Sequence, residues 1–433
     1  MNTTGVNENA FYSYDGEDLF ILESQITDQD SILVANNSAS SSFWISVNTR
    51  INKPSISDIV EHQDLTSTNA NFLIIAHPAF MPDIGDSSHA LNQYIDTRSQ
   101  EGWNIKLVSL QDIQNQFGGG MILPDAITEF IRVYQNTSTI DHVLLVGNDS
   151  YDYKNNLGIN STSFIPTKYT STLFIPHTPS DGLLTDLNND GLSDISIGRW
   201  PVRSVSELNS IVEKTLNWST ANDLNAIYIT DIEDDELESF EAQAHRMIET
   251  ISSSELNIGL IEIYPNKIDL SAGENSIDSA RTLLFNDWEN THTLTNFIGH
   301  GSPTQWSRHG ILASGDLNDL HNENHPTLIG TLTCYSSYFV SPVSNSLSLN
   351  LMNGANNSTN GAVAIHGAAT LSNYTGNEIF ANHVLEQQLQ GKTLGAAILS
   401  ARTLSQSLGY IDQAINWTLL GDPTLRINLE SLQ

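Results

Sequence analysis

Short apolar runs bounded by Gly, Asn, Asp and Ser recur along the chain, and their surroundings change near residue 70. Before that point AFYSYDG, DLFILES, SILVANN and SFWISVN read as extended pieces separated by turn residues, which predicts a β-rich lead-in over residues 1–68. After the polar stretch HQDLTSTNAN, apolar strands alternate with amphipathic helical stretches, the pattern of a mostly parallel sheet flanked by helices. NFLIIAH, the helix around SHALNQYIDTRSQEG, NIKLVSL, the helix PDAITEFIRVYQ and DHVLLVGND give a doubly wound β-α-β-α-β unit. Pro124 opens the second of these helices, and Gly102 fits the position after the end of the first. A loop-rich span from about residue 151 leads to DISIGRWPV and to a helix capped by Ser204 or Ser206. AIYITDIE, SFEAQAHRMIETISS, GLIEIYP, NSIDSARTLLFND, TLTNFIGHG and PTLIGTLTCYS then form a second parallel set. The expected architecture is α/β, with one subdomain over 69–201 and a second over 202–433 placed side by side.

Charge narrows what such a chain does. Its 433 residues carry 17 Lys+Arg against 50 Asp+Glu, a formal net charge of -33, which repels phosphate backbones and anionic membranes. Neither nucleic acid nor an inserted membrane is therefore an expected partner. A single cysteine, Cys334, excludes internal disulfides, zinc ribbons and iron-sulfur clusters. The opening MNTTGVNENAFYSY has neither a basic nor an apolar targeting region, so no signal peptide is read in it. Polar, acidic, lysine-poor surfaces nevertheless suit a secreted or cell-surface protein of a bacterium.

In an open α/β sheet, ligands lie beyond the carboxyl ends of the strands. Three such ends carry chemistry: Glu233 after AIYITDI, His300 after TLTNFIG and Cys334 after PTLIGTLT. A lone cysteine is ordinarily a small buried apolar residue, and a lone strand-end histidine is ordinarily structural. Together, at the ends of consecutive strands that should be neighbours, they put an imidazole and a thiol on one rim. The thiolate is then the nucleophile and the histidine its proton acceptor. Gly301 would allow close backbone approach, and the amides of Gly301 and Cys334 form a candidate oxyanion hole. Glu233 could orient the imidazole.

GHGSPTQW at 299–306 with LTCYSSYF at 332–339 resembles the gingipain family of cysteine endopeptidases, whose caspase-like fold has a His in a GHG turn and a Cys at the next strand end. FLIIAHPAF, EGWNIKLVSLQDIQNQFGGGMILPDAITEFI, HVLLVGND, DISIGRWPVRSVSELNSIVEKTLNW and WTLLGDPTLRI follow the family pattern in order, so the resemblance spans about residues 70–428. It implies that His300 is the general base, Cys334 the nucleophile and Glu233 the supporting carboxylate, with Asp234 and Asp235 adjacent alternatives. It also places Trp306 at the substrate cleft, where a simple loop-covering role is the competing reading. His366, closing GAVAIHG, should share that rim. The family's arginine- or lysine-cleaving members hold the basic side chain with an acidic group, for which Glu238 and Glu241 are the candidates here, the alternative being a neutral pocket.

Two side features carry weaker chemistry. Asp186, Asn188, Asp190 and Asp194 alternate around Gly191 as calcium ligands would, although Ile197 stands where an EF-hand needs Glu, and an Asx-rich turn is the competing reading. Asp149 and Asp152 are a further calcium candidate, whereas His309, His321 and His325 lack metal-site spacing. The expected function is hydrolysis of a protein or peptide substrate through a thioester, with no cofactor for the chemistry and structural calcium as an option. A transpeptidase or sortase of the same fold acting on secreted surface proteins, and a non-catalytic surface binding module, are the alternatives.

Overall fold

The computed structural model describes residues 64–432, apart from 219–222, 233–238, 271–274, 344 and 355–357, together with the backbone of strands within the first 63 residues. Residues 1–63 and 64–433 are two compact units. In the first, β1 (Asn9–Tyr14) pairs antiparallel with β2 (Leu19–Leu22) and with β5 (Ser42–Val47), and β3 (Ser24–Ile26) pairs with β4 (Ile32–Val34).

The second unit begins with β6 (Phe72–Ala76), α1 (Ala90–Gln100), β7 (Ile105–Ser109), α2 (Leu110–Phe117), α3 (Pro124–Gln135) and β8 (His142–Val146). A hairpin of β9 (Lys168–Thr170) and β10 (Thr178–Ser180), then β11 (Ser196–Trp200) and α4 (Val205–Trp218), follow. Next come β12 (Asn225–Thr230), α5 (Phe240–Ser252), β13 (Gly259–Ile263), α6 (Ser276–Asn290) and β14 (Thr293–Ile298). A three-stranded flap, β15 (Gly301–Ser302), β16 (Gln305–Trp306) and β17 (Leu312–Ala313), precedes β18 (Thr327–Leu332). The chain ends with α7 (Leu347–Asn353), β19 (Ala362–Ala368), α8 (Tyr374–Leu389), α9 (Leu394–Ser407), α10 (Ile411–Asn416) and β20 (Trp417–Leu420).

Ten strands form one sheet in the order β13-β12-β14-β18-β19-β20-β11-β8-β6-β7. All neighbours are parallel except β19 and β20. The sheet is thus two parallel blocks running in opposite directions, and the late strand β20 joins them by pairing parallel with β11. WTLL looks like any apolar strand in sequence, and nothing local tells it to cross back to the first half of the chain.

Side chains alternate strictly across this sheet, as the period of two requires. Ile227 and Ile229 of β12 enter the core under α1, α4 and α6, whereas Ala226 and Tyr228 face the core under α5, α8 and α9. Both faces being covered explains why the strands read as unbroken apolar runs. Ser204 is the cap of α4: its hydroxyl accepts from Glu207 N–H, and the Glu207 carboxylate accepts in return from Arg203 N–H. Helix α2 was not foreshadowed by the sequence pattern, because it follows β7 without a break and the last strand residue, Ser109, is its cap. Among the described residues no helix is long and apolar enough to cross a membrane.

Candidate active site

Registers across β12, β14 and β18 are level, with Thr230 opposite Ile298 and Ile298 opposite Leu332. Three strands therefore release their chains at the same height, so Asp231, the turn Gly299–His300–Gly301 and the pair Thr333–Cys334 emerge side by side on one rim. This is the juxtaposition that consecutive strand ends predicted for His300 and Cys334.

The two glycines of the turn are required by close approach. A β-carbon on Gly299 would lie 2.3 Å from the Asp231 β-carbon, and one on Gly301 would lie 2.5 Å from Thr333 Oγ1 and 2.9 Å from the Cys334 carbonyl oxygen. The His300 turn is consequently pressed between the end of β12 and the end of β18. Gly301→Ala should displace Thr333 and Cys334 while leaving the fold intact, because Gly301 lacks the positive φ that penalises a side chain. A misplacement of this order should lower kcat/KM by about a hundredfold, with an unchanged circular dichroism spectrum as the control.

Asp231, which sequence reasoning passed over in favour of Glu233, organises the turn. It is 2% exposed and its carboxylate accepts from His300 N–H at 3.1 Å, Ile232 N–H at 2.8 Å and Ser307 Oγ at 2.5 Å. Ser307 N–H also donates to the His300 carbonyl at 2.7 Å. The acid thus clamps the backbone of His300, and the buried ring of Phe240 meets the imidazole edge-on at 5.6 Å. Its signal in the sequence was its position, the first residue beyond the strand. Glu233, Asp234, Asp235 and Glu238 lie outside the described residues.

Cys334 is half-buried, with Sγ 3.8 Å from the Ser372 hydroxyl and 3.9 Å from the Ser372 carbonyl oxygen. Tyr335 adopts a left-handed φ of 57°, and its N–H donates to Thr370 O at 3.0 Å, while Ser337 N–H donates to Ala368 O at 3.1 Å. The residues after Cys334 are thereby bound to the segment that follows β19. Burial, and after it the neighbouring Cys334, pushes the Tyr335 phenol up. Phe339 lies 4.9 Å beneath the guanidinium of Arg199, which is fully buried and held in a two-pronged pair by Asp181 at 2.7 Å.

Two expected cleft residues are elsewhere. Trp306 is 2% exposed and stacks on Phe297 with ring centroids 4.7 Å apart, so it anchors the flap to the core and does not line an open cleft. The flap pairs Trp306 directly with Gly301, and an aromatic at that position is driven inward by its own apolar area. His366 lies within β19, not at its end, and is buried with Nδ1 accepting from the Trp417 indole at 3.2 Å. Desolvation lowers its pKa to about 4, and burial does the same for His142. Because the unfolded chain binds these protons below about pH 6.5 and the folded chain does not, stability should fall as pH drops from about 6.5 to about 4. Urea midpoints measured across that range should fall less steeply for His366→Gln, which keeps an acceptor for the indole.

Glu241, a candidate for holding a basic substrate side chain, is ion-paired with Lys267. In the proposed calcium loop, Asp194 accepts from Leu187 N–H, Asp186 from the amides of Asp190 and Gly191, and Asp190 from Leu192 N–H. Asp152 and Asp149 likewise accept from Asn156, Leu157 and Thr167 amides. Asn188 Nδ2 also donates to Asp190 and Asp194, and Ser163 Oγ to Asp149, so the loop amides and these side chains together make an Asx-rich turn. Among the described residues no group of three or more His, Cys, Asp or Glu could hold a metal ion.

No curated protein matches the chain. Among solved structures, the Arg-specific cysteine proteinase gingipain R superimposes with a TM-score of 0.65 at 18% identity, over 83% of this chain and 79% of that one. The complex of pro- and mature domains of RgpB from Porphyromonas gingivalis gives 0.64 at 18%, over 82% and 80%. Dimeric latent PorU from Porphyromonas gingivalis gives 0.51 at 16%, over 97% of this chain and 37% of that one. At such identities the likeness shows the fold, a large mostly parallel sheet flanked by helices in the gingipain and caspase-like manner. A family model for peptidase family C25 matches residues 65–428. With most of its length inside that match, the chain belongs to peptidase family C25, the gingipain family, and is a cysteine-type peptidase.

Proposed function

We propose that the protein is a cysteine endopeptidase in which His300 and Cys334 are the reacting pair. His300 takes the thiol proton, and Cys334 Sγ attacks the scissile carbonyl carbon. The oxyanion is held by the Gly301 and Cys334 amides. The tetrahedral adduct collapses to a thioester, the C–N bond breaks, and His300 returns the proton to the departing amine. Water then adds to the thioester and releases acid and thiol. Glu233 is assigned to support the imidazole, while Asp231 holds the turn. On this reading 69–201 is the supporting subdomain and 202–433 the catalytic one, and the acidic surface suits work outside the cell. Calcium has no step in this scheme.

The observation that carries the reading is the contact of Gly301 with Thr333 and the Cys334 carbonyl at level strand ends, which brings the His and Cys arms together. The test is intact-mass analysis after exposure to acyloxymethyl ketone peptides that differ only in the residue before the reactive group, with and without calcium. One adduct with a residue preference supports the reading, and no adduct under any condition overturns it. Cleavage of a matching peptide in the presence of an added amine distinguishes hydrolysis from transpeptidation, since only the latter yields a ligated product.

A further inference from the structure

Ser372 lies between the sulfur of Cys334 and the start of α8. Its hydroxyl is 3.8 Å from Cys334 Sγ and accepts a hydrogen bond from Asn377 Nδ2 at 2.8 Å. Asn377 is 3% exposed, in the first turn of α8, where packing fixes it. The amide occupies one oxygen lone pair and leaves the hydroxyl proton free to be donated to the sulfur. Ser372 also stands one residue before Asn373, whose side chain caps α8 by accepting from Gly376 N–H at 2.9 Å. Ser372 thus stands at the amino-terminal end of a 16-residue helix, which fixes where its hydroxyl lies.

We propose that Ser372, oriented by Asn377, donates a hydrogen bond to the Cys334 thiolate and so favours the reactive form of the nucleophile. The proposal rests on the reading of Cys334 as the nucleophile. A thiolate is a stronger acceptor than a thiol, and catalytic hydrogen bonds that are long in a free enzyme shorten once charge is present. No bond is made or broken at Ser372. It stabilises the ion that remains after His300 has taken the proton.

The chain has one cysteine, so alkylation by iodoacetamide reports Cys334 alone. Rates measured by intact mass against pH should form a titration curve for the wild type. Ser372→Ala should move that curve to higher pH and slow alkylation near neutrality by about three- to tenfold, with the alkaline plateau retained. Ser372→Thr, which keeps the hydroxyl, should restore the wild-type curve, and Asn377→Leu should shift it in the same direction as Ser372→Ala. Superimposable curves for wild type and Ser372→Ala, or a shift to lower pH, would overturn the proposal. A wild type that alkylates like an ordinary thiol and takes no peptide adduct would instead overturn the nucleophile assignment, so the two failures are distinguishable. Unfolding of Ser372→Ala, seen by circular dichroism, leaves Ser372→Thr and Asn377→Leu to decide.

Discussion

Cys334→Ala should remove peptide cleavage, with kcat/KM falling by about a thousandfold or more, and leave the urea midpoint of the protein nearly unchanged. The two halves of that expectation come from different observations. Cys334 supplies the only thiol in the chain, so no other side chain can form the thioester. Yet the residue is only half-buried and its sulfur makes two long contacts, to Ser372. Truncation to alanine therefore removes little buried area, and a stability change within about 1 kcal/mol is expected. Loss of labelling by a promiscuous thiol reagent would be uninformative, because the variant has no thiol at all. The decisive measurement is turnover of a peptide whose sequence matches the preferred probe. Turnover persisting within tenfold of wild type would refute the role of Cys334, whereas lost turnover together with a collapsed urea midpoint would point to a structural cysteine.

The largest effect on stability should come from Asp181→Ala. Arg199 is fully buried, its Nε and Nη2 each donate to Asp181 at 2.7 Å, and its Nη1 donates to the carbonyls of Gly147 at 2.6 Å and Ile165 at 2.9 Å. Removing the carboxylate leaves a buried guanidinium that cannot shed its proton without its two-pronged partner, at a cost of about 3–5 kcal/mol. Asp181→Asn should cost less, since one acceptor survives. The consequence reaches the active site because the same guanidinium supports Phe339, which belongs to the segment that carries Cys334. Activity at a fixed denaturant concentration should thus be lost ahead of global unfolding, as measured by comparing turnover with intrinsic fluorescence along one urea series. Coincident curves for wild type and variant, displaced by less than about 1 kcal/mol, would show that the pair is not a support.

How much of this was legible in the chain follows from the range of each signal. α3 at Pro124–Gln135 was readable because proline at a first turn acts locally, whereas the sequence offered both Ser204 and Ser206 as the cap of α4 and only the bond from Glu207 N–H selects Ser204. The shared rim of His300 and Cys334 was readable because both follow apolar runs, and a parallel sheet places successive strand ends side by side. Trp306 and His366 were misplaced for the opposite reason. Neighbouring positions on a strand or hairpin point to opposite sides, so being near the rim in sequence does not decide between cleft and core. The Trp306 ring turned inward to stack on Phe297, and His366 found an indole on β20, a strand whose pairing no local pattern announces.

By itself, then, the sequence determined the α/β alternation, the positions of most strands and helices, the placing of His300 and Cys334 at neighbouring strand ends and a charge unsuited to nucleic acid or anionic membranes. These depend on periodicity, residue chemistry and net charge, which act over a few residues or over the whole chain at once. Only the tertiary structure decided the antiparallel junction of β19 and β20, the carboxylate clamp from Asp231, the buried Arg199–Asp181 pair and the meeting of Ser372 with Cys334. Each is a contact between residues far apart in the chain. Such contacts are fixed by burial on both faces of the sheet and by the need to satisfy every polar group enclosed there, not by any preference of the residues alone.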